Sequence, residues 1–243
     1  MSTIWLISQY STTPSDGGYL RHHYLARELA KAGHDVYVMI GRVHHMMTHP
    51  EASEHAAFLE SLDGYTVVRV DTVRYPHAHH KKRILGWAQF GWKLPGLMKR
   101  GVPKPDTIMY SSPNLLSFLG AERAARKAGA RLVFEVRDIW PLTIVHIGDV
   151  SAGHPFVRLL QWVEDRAYRV SDKVVSNLPN AVDHMVSRGM DRAKFHWIPN
   201  GVALADNALQ EPLPEAVRAQ LPSGKFIVGY VGTHGEANNL DTL

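Results

Sequence analysis

The segment FEVRDIWP, residues 134–141, places Glu135, Arg137, Asp138 and Trp140 where an apolar strand runs out. In an open α/β sheet, ligands gather beyond the carboxyl ends of the strands, so charge and an aromatic ring concentrated there mark a candidate site. Its chemistry would centre on Asp138. The structural alternative is an exposed Arg137–Asp138 ion pair that simply closes the strand. A second candidate follows the first strand, in QYSTTPSDGGYLRHH, where Gly17 and Gly18 precede a helix. Two glycines at a helix start let a ligand approach free backbone N–H groups whose partial positive charge suits a phosphate. The spacing is not G-x-G-x-x-G and no P-loop lysine follows, which argues against both a dinucleotide site and a Walker-type NTPase. On that helix His22, Leu25, Ala26 and Leu29 recur at i, i+3, i+4 and i+7, and so share the face expected to pack on the sheet. His22 reads either as a satisfied core histidine or as a site residue at the edge of the glycine loop.

The elements that would position these residues alternate between strands and helices, the signature of a parallel sheet covered on both faces: an α/β, doubly wound, Rossmann-like architecture. The strands are expected at 4–8, 35–40, 66–70, 107–111, 131–136, 173–176, 195–198 and 226–231. One helix is especially clear: Asn114 can cap it, LLSFLGAERAARKA follows, and Gly129 can close it in a left-handed conformation. There is no internal repeat and no low-complexity tract.

Composition narrows the function classes. The chain has 243 residues, 45% hydrophobic and 21% charged, as expected of a globular protein with a full core. It has no cysteine, which excludes disulfides, thiolate metal sites and cysteine nucleophiles. The opening MSTIWLISQY lacks a basic leader followed by a long apolar run, so neither a signal peptide nor a transmembrane helix is expected, and a cytoplasmic location is. A net charge of +4 allows attraction to phosphates or anionic lipid without selecting among them. The histidines at 44, 45 and 49 and at 77, 79 and 80 lie in expected loops without a carboxylate pattern or an H-E-x-x-H helix, so no metal site is predicted. Nucleic acid is not expected as a partner either, since the basic residues form no recognisable reading element. In residues 77–100, Lys81, Lys82, Arg83, Lys93, Lys99 and Arg100 interleave with Ile84, Leu85, Trp87, Phe90, Trp92, Leu94 and Leu97. This segment reads either as an interfacial membrane helix or as a covering helix with a solvated basic end, and Pro95 and Gly96 interrupt it.

The order of the GG loop, RHHYLARELAKAGHDV, SSPNLLSFLGAERAARKAGARLVFEVRDIWP, IPNGV and GYVGTHGEANNLDTL resembles family 4 glycosyltransferases of the GT-B fold. The likeness is greatest to the bacterial branch that builds capsule and O-antigen polysaccharide, often with amino sugars. It covers nearly the whole chain, with EVRDIWP and GGYLRHHYLARELAKAGH as its most specific parts. The resemblance implies an acceptor-side domain over 1–200, a linker over 201–224, and the first strand and loop of a donor-binding domain over 225–243. The family's donor-binding basic pair and Glu-x7-Glu segment have no counterpart here, so a truncated reading frame, inactive by itself, is expected.

On that resemblance, the complete enzyme would transfer a sugar from a nucleotide-sugar, chiefly a UDP-sugar, to a lipid-linked or saccharide acceptor, with retention of anomeric configuration and without a metal or other cofactor. Asp138 would orient or partly deprotonate the acceptor hydroxyl. Arg137 and His22 would contact phosphate or acceptor, and Trp140 would stack on a sugar. Gly17, Gly18, Arg21, Asn200, Gly232 and Thr233 complete the implied substrate contacts. Two other readings remain: a nucleotide-sugar epimerase on the same scaffold, against which EVRDIWP argues, and a non-catalytic binding module requiring a partner. Contact with the inner face of the plasma membrane through 81–100 would suit a lipid-linked acceptor.

Overall fold

A computed structural model describes residues 1–77, 80–204, 212–232, 234 and 240–242. Met1–Asn200 form one compact unit and Gly201–Leu243 a second.

The first unit is built on a sheet of β1 (Thr3–Ile7), β2 (Asp35–Gly41), β3 (Leu59–Leu62), β4 (Tyr65–Val70), β5 (Thr107–Ser111), β6 (Arg131–Val136), β7 (Lys173–Ser176) and β8 (Phe195–Trp197). The spatial order is β3-β4-β2-β1-β5-β6-β7-β8. Every neighbouring pair is parallel except β3 and β4. The chain winds outward from β1 in one direction through β2 and β4, then returns to place β5 on the other side of β1. The strand order therefore reverses between β1 and β5, the place where an open α/β sheet leaves a crevice at its carboxyl edge. Seven of the eight expected strands form within a residue or so of their predicted limits. β3 was missed, although Asp63-Gly64 signals it: both residues have positive φ (45° and 85°), as a two-residue hairpin turn requires.

Helices cover both faces. On one, α1 (Arg21–Lys31) lays Leu25, Ala26 and Leu29 against Leu6, Val36, Val38, Ile40 and Val67. On the other, α3 (Lys82–Lys93), a 3-10 extension (Leu94–Arg100), α4 (Phe118–Ala128) and α6 (Pro155–Val170) pack on Trp5, Ile7, Ile108 and Phe134. Trp5 and Leu6 are consecutive on β1 and enter opposite clusters, as the two-residue strand period dictates. Fully buried Phe90, Phe118 and Phe134 each contribute about 1.5–3 kcal/mol of apolar transfer energy. The remaining helices of this unit are α2 (Pro50–Glu54), α5 (Trp140–His146) and α7 (Ala181–Ser187).

Two expectations are corrected, for Asn114 and for the strand at 226–231, and the two readings of 77–100 are sorted residue by residue. Asn114 does not stand at the head of α4, which begins at Phe118: its Oδ1 accepts from Ser117 N–H (3.3 Å) in the turn before the helix. Its Nδ2 donates to Gln9 Oε1 (2.5 Å) and Ser117 Oγ (2.6 Å), bracing the β1 and β5 loops. Gly129 does close the helix, at φ 62°. In 77–100, helical periodicity turns Trp87, Phe90, Leu94 and Leu97 into the core, so only Ile84, Leu85 and Trp92 of the expected apolar set stay exposed. The predicted strand 226–231 is not formed: Phe226 is 93% exposed, and among the described residues of Gly201–Leu243 there is no strand to pair with it. That unit contains a short helix, Glu215–Arg218, and a 3-10 turn, Leu240–Thr242. Among the described residues no helix is long and apolar enough to cross a membrane.

Candidate functional site

A cleft of about 340 Å³ opens at the carboxyl edge of the sheet, lined by loops that leave five strands. Tyr10 follows β1, His45 and Met46 follow β2, Pro113 follows β5, Arg137, Asp138 and Trp140 follow β6, and Asn177 follows β7. Tyr19 and Arg21 at the start of α1, Arg83 on α3 and Asn200 complete the wall.

Beneath the wall lies Glu135, the last residue but one of β6 and 1% exposed. Arg21 donates to its Oε1 through Nε (3.0 Å) and Nη2 (2.8 Å), and Nη1 of the same guanidinium donates to Asn200 Oδ1 (2.8 Å). Ser111 Oγ donates to the other carboxylate oxygen, and His22 Nε2 lies 2.8 Å from Ser111 Oγ and 3.4 Å from Glu135 Oε2. The serine proton is committed to the carboxylate, so the network assigns the His22 proton to Nε2. Burial lowers the His22 pKa, with Arg137 and Arg21 acting in the same direction against the raising effect of Glu135; the imidazole is neutral. Burial pushes the Glu135 pKa up, but its contacts with His22, Arg21 and Ser111 outweigh that cost and hold it well below the usual carboxylate range. His22 is thus neither an ordinary core histidine nor a cleft residue: it sits behind the wall and orders the carboxylate that holds Arg21.

Arg137 is fixed by neutral groups. Its Nε (3.2 Å) and Nη2 (2.8 Å) donate to the Ser112 carbonyl, its backbone N–H donates to Ser112 Oγ (2.9 Å), and the guanidinium lies 5.9 Å from the centre of the Tyr19 ring. Asp138 is exposed in the cleft, and its carboxylate makes no ion pair or hydrogen bond among the described residues, so the strand-closing Arg137–Asp138 pair is absent. Trp140 opens α5, with its ring edge-on to Trp87 at 5.3 Å and Arg83 at 5.6 Å from its centre. Part of the ring is therefore engaged by the protein, and the remainder faces the cleft.

The glycine loop differs from expectation. Gly17 N–H donates to Thr13 O (3.2 Å) and is not free. Gly18 has φ 112°, and a Cβ there would collide with the Met46 carbonyl, so this glycine serves the packing of two loops. Neither glycine lines the cleft. Asp16, one residue earlier, is paired at 3.0 Å with Arg69, which is 1% exposed and also binds Glu60 at 2.8 Å. The loop opposite is ordered by His44, whose Nε2 donates to Ser11 O (3.1 Å) while Nδ1 accepts from Met46 N–H (3.3 Å). Both ring nitrogens are used in the neutral form, and burial lowers the His44 pKa to about 4.

Of the predicted site residues, the structure brings together Arg21, Arg137, Asp138, Trp140 and Asn200 at the cleft. Gly232 lies in the second unit, and Thr233 falls outside the described residues. Sequence reasoning missed Tyr10, Tyr19, His45, Met46, Arg83, Pro113 and Asn177 as lining, and Ser111 and Ser112 as supports. A usable signal existed for several of them: polar or aromatic residues stand directly beyond apolar strands in IWLISQY, TIMYSSP and KVVSN.

Residues 20–206 match the family model of Glycosyltransferase Family 4. Among solved structures, a domain of sucrose-phosphate synthase from Thermosynechococcus elongatus has a TM-score of 0.55 at 15% identity, covering 85% of this chain and 93% of that one. The catalytic domain of starch synthase IV from Arabidopsis thaliana, bound to ADP and acarbose, has a TM-score of 0.55 at 14% identity, over 83% of this chain and 52% of that one. HepE of Anabaena, in complex with UDP and glucose, has a TM-score of 0.51 at 12% identity, over 84% and 46%. At these identities the likeness is one of fold: a Rossmann-like doubly wound domain of GT-B type. The chain spans about half the length of the latter two proteins. No curated protein sequence matches it.

Proposed function

This chain belongs to Glycosyltransferase Family 4, and from that premise we propose that its cleft is the acceptor side of a sugar-transfer site completed by a donor-binding half. The observation that carries this reading is the Asp138 carboxylate, exposed at the end of β6 in a cleft with aromatic rings and guanidinium groups. A carboxylate without an ion-pair partner is suited to accept the hydrogen bond of an acceptor hydroxyl. As that oxygen bonds to the anomeric carbon and the bond from that carbon to the nucleotide diphosphate breaks, the hydroxyl proton leaves toward Asp138 or the departing diphosphate. Tyr19 and the open part of Trp140 offer faces for sugar rings. Arg21 and Asn200 act as a braced pair shaping the wall, and His22 supports them through Glu135.

The donor in this proposal is a UDP-sugar, a class supported by the fold shared with the Anabaena protein that holds UDP and glucose. The acceptor is a lipid-linked or saccharide hydroxyl in the building of surface polysaccharide such as capsule or O-antigen, and configuration is retained. Contact with an anionic membrane runs through the solvent side of α3 and its flanks, where Leu85 and Trp92 (51% and 79% exposed) are accompanied by Lys82 and Lys93 on the helix, Lys81 before it and Lys99 in the 3-10 extension. Flotation with anionic vesicles tests that contact: loss of binding in Trp92→Ala supports it, and failure to float at low salt refutes it. For the transfer itself, Asp138→Asn in a protein that joins this chain to a complete donor-binding half is expected to lower turnover by about 10²–10⁴ with folding intact. Near-wild-type turnover would remove Asp138 from the mechanism.

A further inference from the structure

The charges at the cleft are not equivalent. Arg21 is neutralised by Glu135 and fully engaged by it and Asn200. Arg137 is held only by the Ser112 carbonyl and the Tyr19 ring, and its Nη1 has no hydrogen-bond partner among the described residues. It forms no ion pair there either, and Ser112, which is fully buried, clamps it at both the backbone and the side chain. This is a guanidinium whose orientation is paid for in advance and whose charge is unspent, facing a cleft. The adjacent Asp138 is a carboxylate in the same cleft with no ion pair among the described residues. Two opposite charges on consecutive residues that do not neutralise each other read a ligand with two different ends.

We propose that the acceptor taken by this cleft carries a phosphate or carboxylate as well as its reacting hydroxyl, with Arg137 binding the anion and Asp138 the hydroxyl. The proposal rests on the acceptor-side reading above and deepens it by naming the acceptor's chemical class. Both side chains line one cleft of about 340 Å³, so an anion on Arg137 and a hydroxyl on Asp138 are taken from one ligand. A bare anion would gain from Arg137 but face repulsion from Asp138; a neutral sugar would satisfy Asp138 and leave the clamped guanidinium without its strongest class of partner.

The test is titration calorimetry of the full chain with glucose, glucose 1-phosphate, glucuronate and UDP, repeated for Arg137→Gln and Asp138→Asn, with thermal melts verifying that both variants fold. The two anionic sugars are expected to bind at least about tenfold more tightly than glucose, as one charge-assisted bidentate contact supplies. Arg137→Gln should abolish that preference, while Asp138→Asn should weaken glucose and keep or widen the preference, because it removes the hydroxyl's acceptor and a charge that repels the anion together. Equal affinity for charged and neutral sugars, no binding of any sugar, or a preference that survives Arg137→Gln would overturn the proposal. So would UDP displacing the anionic sugars and losing its own affinity in Arg137→Gln, which would assign the anion to the donor diphosphate. The transfer reading fails on a different result, normal turnover of Asp138→Asn, and anion preference is measured without turnover.

Discussion

Replacing Glu135 by alanine probes the arrangement on which the cleft wall depends. The carboxylate is 1% exposed and receives two hydrogen bonds from Arg21 and one from Ser111, with His22 Nε2 at 3.4 Å. Its removal leaves the Arg21 guanidinium, 17% exposed, with Asn200 as its one remaining hydrogen-bond partner among the described residues, and strands the Ser111 and His22 donors. Breaking a buried ion pair by deleting one member costs about 3–5 kcal/mol, because the surviving charge stays desolvated. A domain near 200 residues moves its midpoint by roughly 2–4 °C per kcal/mol, so a fall of roughly 6–20 °C is expected. Urea unfolding followed by circular dichroism gives the free energy, and a double-mutant cycle with Arg21→Met isolates the pair. Arg21→Met alone should cost less than Glu135→Ala, since the remaining carboxylate keeps its Ser111 and His22 contacts. The double variant should recover part of the loss, with a coupling of at least about 1 kcal/mol. A loss below about 1 kcal/mol for Glu135→Ala, or strict additivity with Arg21→Met, would refute the claim that this pair carries the wall.

Acid should loosen the β2 loop through His44. Its pKa is lowered to about 4 in the folded chain from an ordinary value of 6.5, so protons favour the unfolded chain as pH falls below 6.5, and stability drops until pH nears 4. Between pH 7 and 5 this one group costs about 2 kcal/mol, and His44→Gln should flatten the slope in urea titrations by about that amount. Gly18→Ala should destabilise by at least about 1–3 kcal/mol, because it combines a φ of 112° with a collision against the Met46 carbonyl, and a melt close to wild type would contradict the packing role. Asp138→Asn, at an exposed carboxylate without partners among the described residues, should leave unfolding free energy within about 0.5 kcal/mol of wild type while lowering turnover in the completed enzyme. Arg69→Met should cost several kcal/mol through the orphaned Asp16, about 3–5 by the same accounting as for Glu135, and should loosen the glycine loop as read by amide exchange.

The alternation of apolar strands and amphipathic helices in this sequence determined the class of fold, because strand and helix periods are local properties written in every eight or ten residues. It also located the carboxyl end of β6, since Glu135, Arg137 and Asp138 break an apolar run at a place where the geometry of parallel sheets puts ligands. Long-range partnership was not legible. That Arg21 would bond Glu135, 114 positions away, that Asn200 would close the same guanidinium, and that Ser112 would clamp Arg137 depend on β1, β5 and β6 lying side by side. The same holds for Gly17 and Gly18: a pair of glycines before a helix has the composition of an anion-binding loop, and only the approach of Met46, Thr48 and His49 turned it into a packing contact. On α3, the pattern allowed two readings of its aromatics, and the sheet beneath decided between them for Trp87 and Phe90 while leaving Trp92 outside. Local sequence carries the free energy of short-range order; which charges are neutralised and which are left for a ligand is decided when distant strand ends meet.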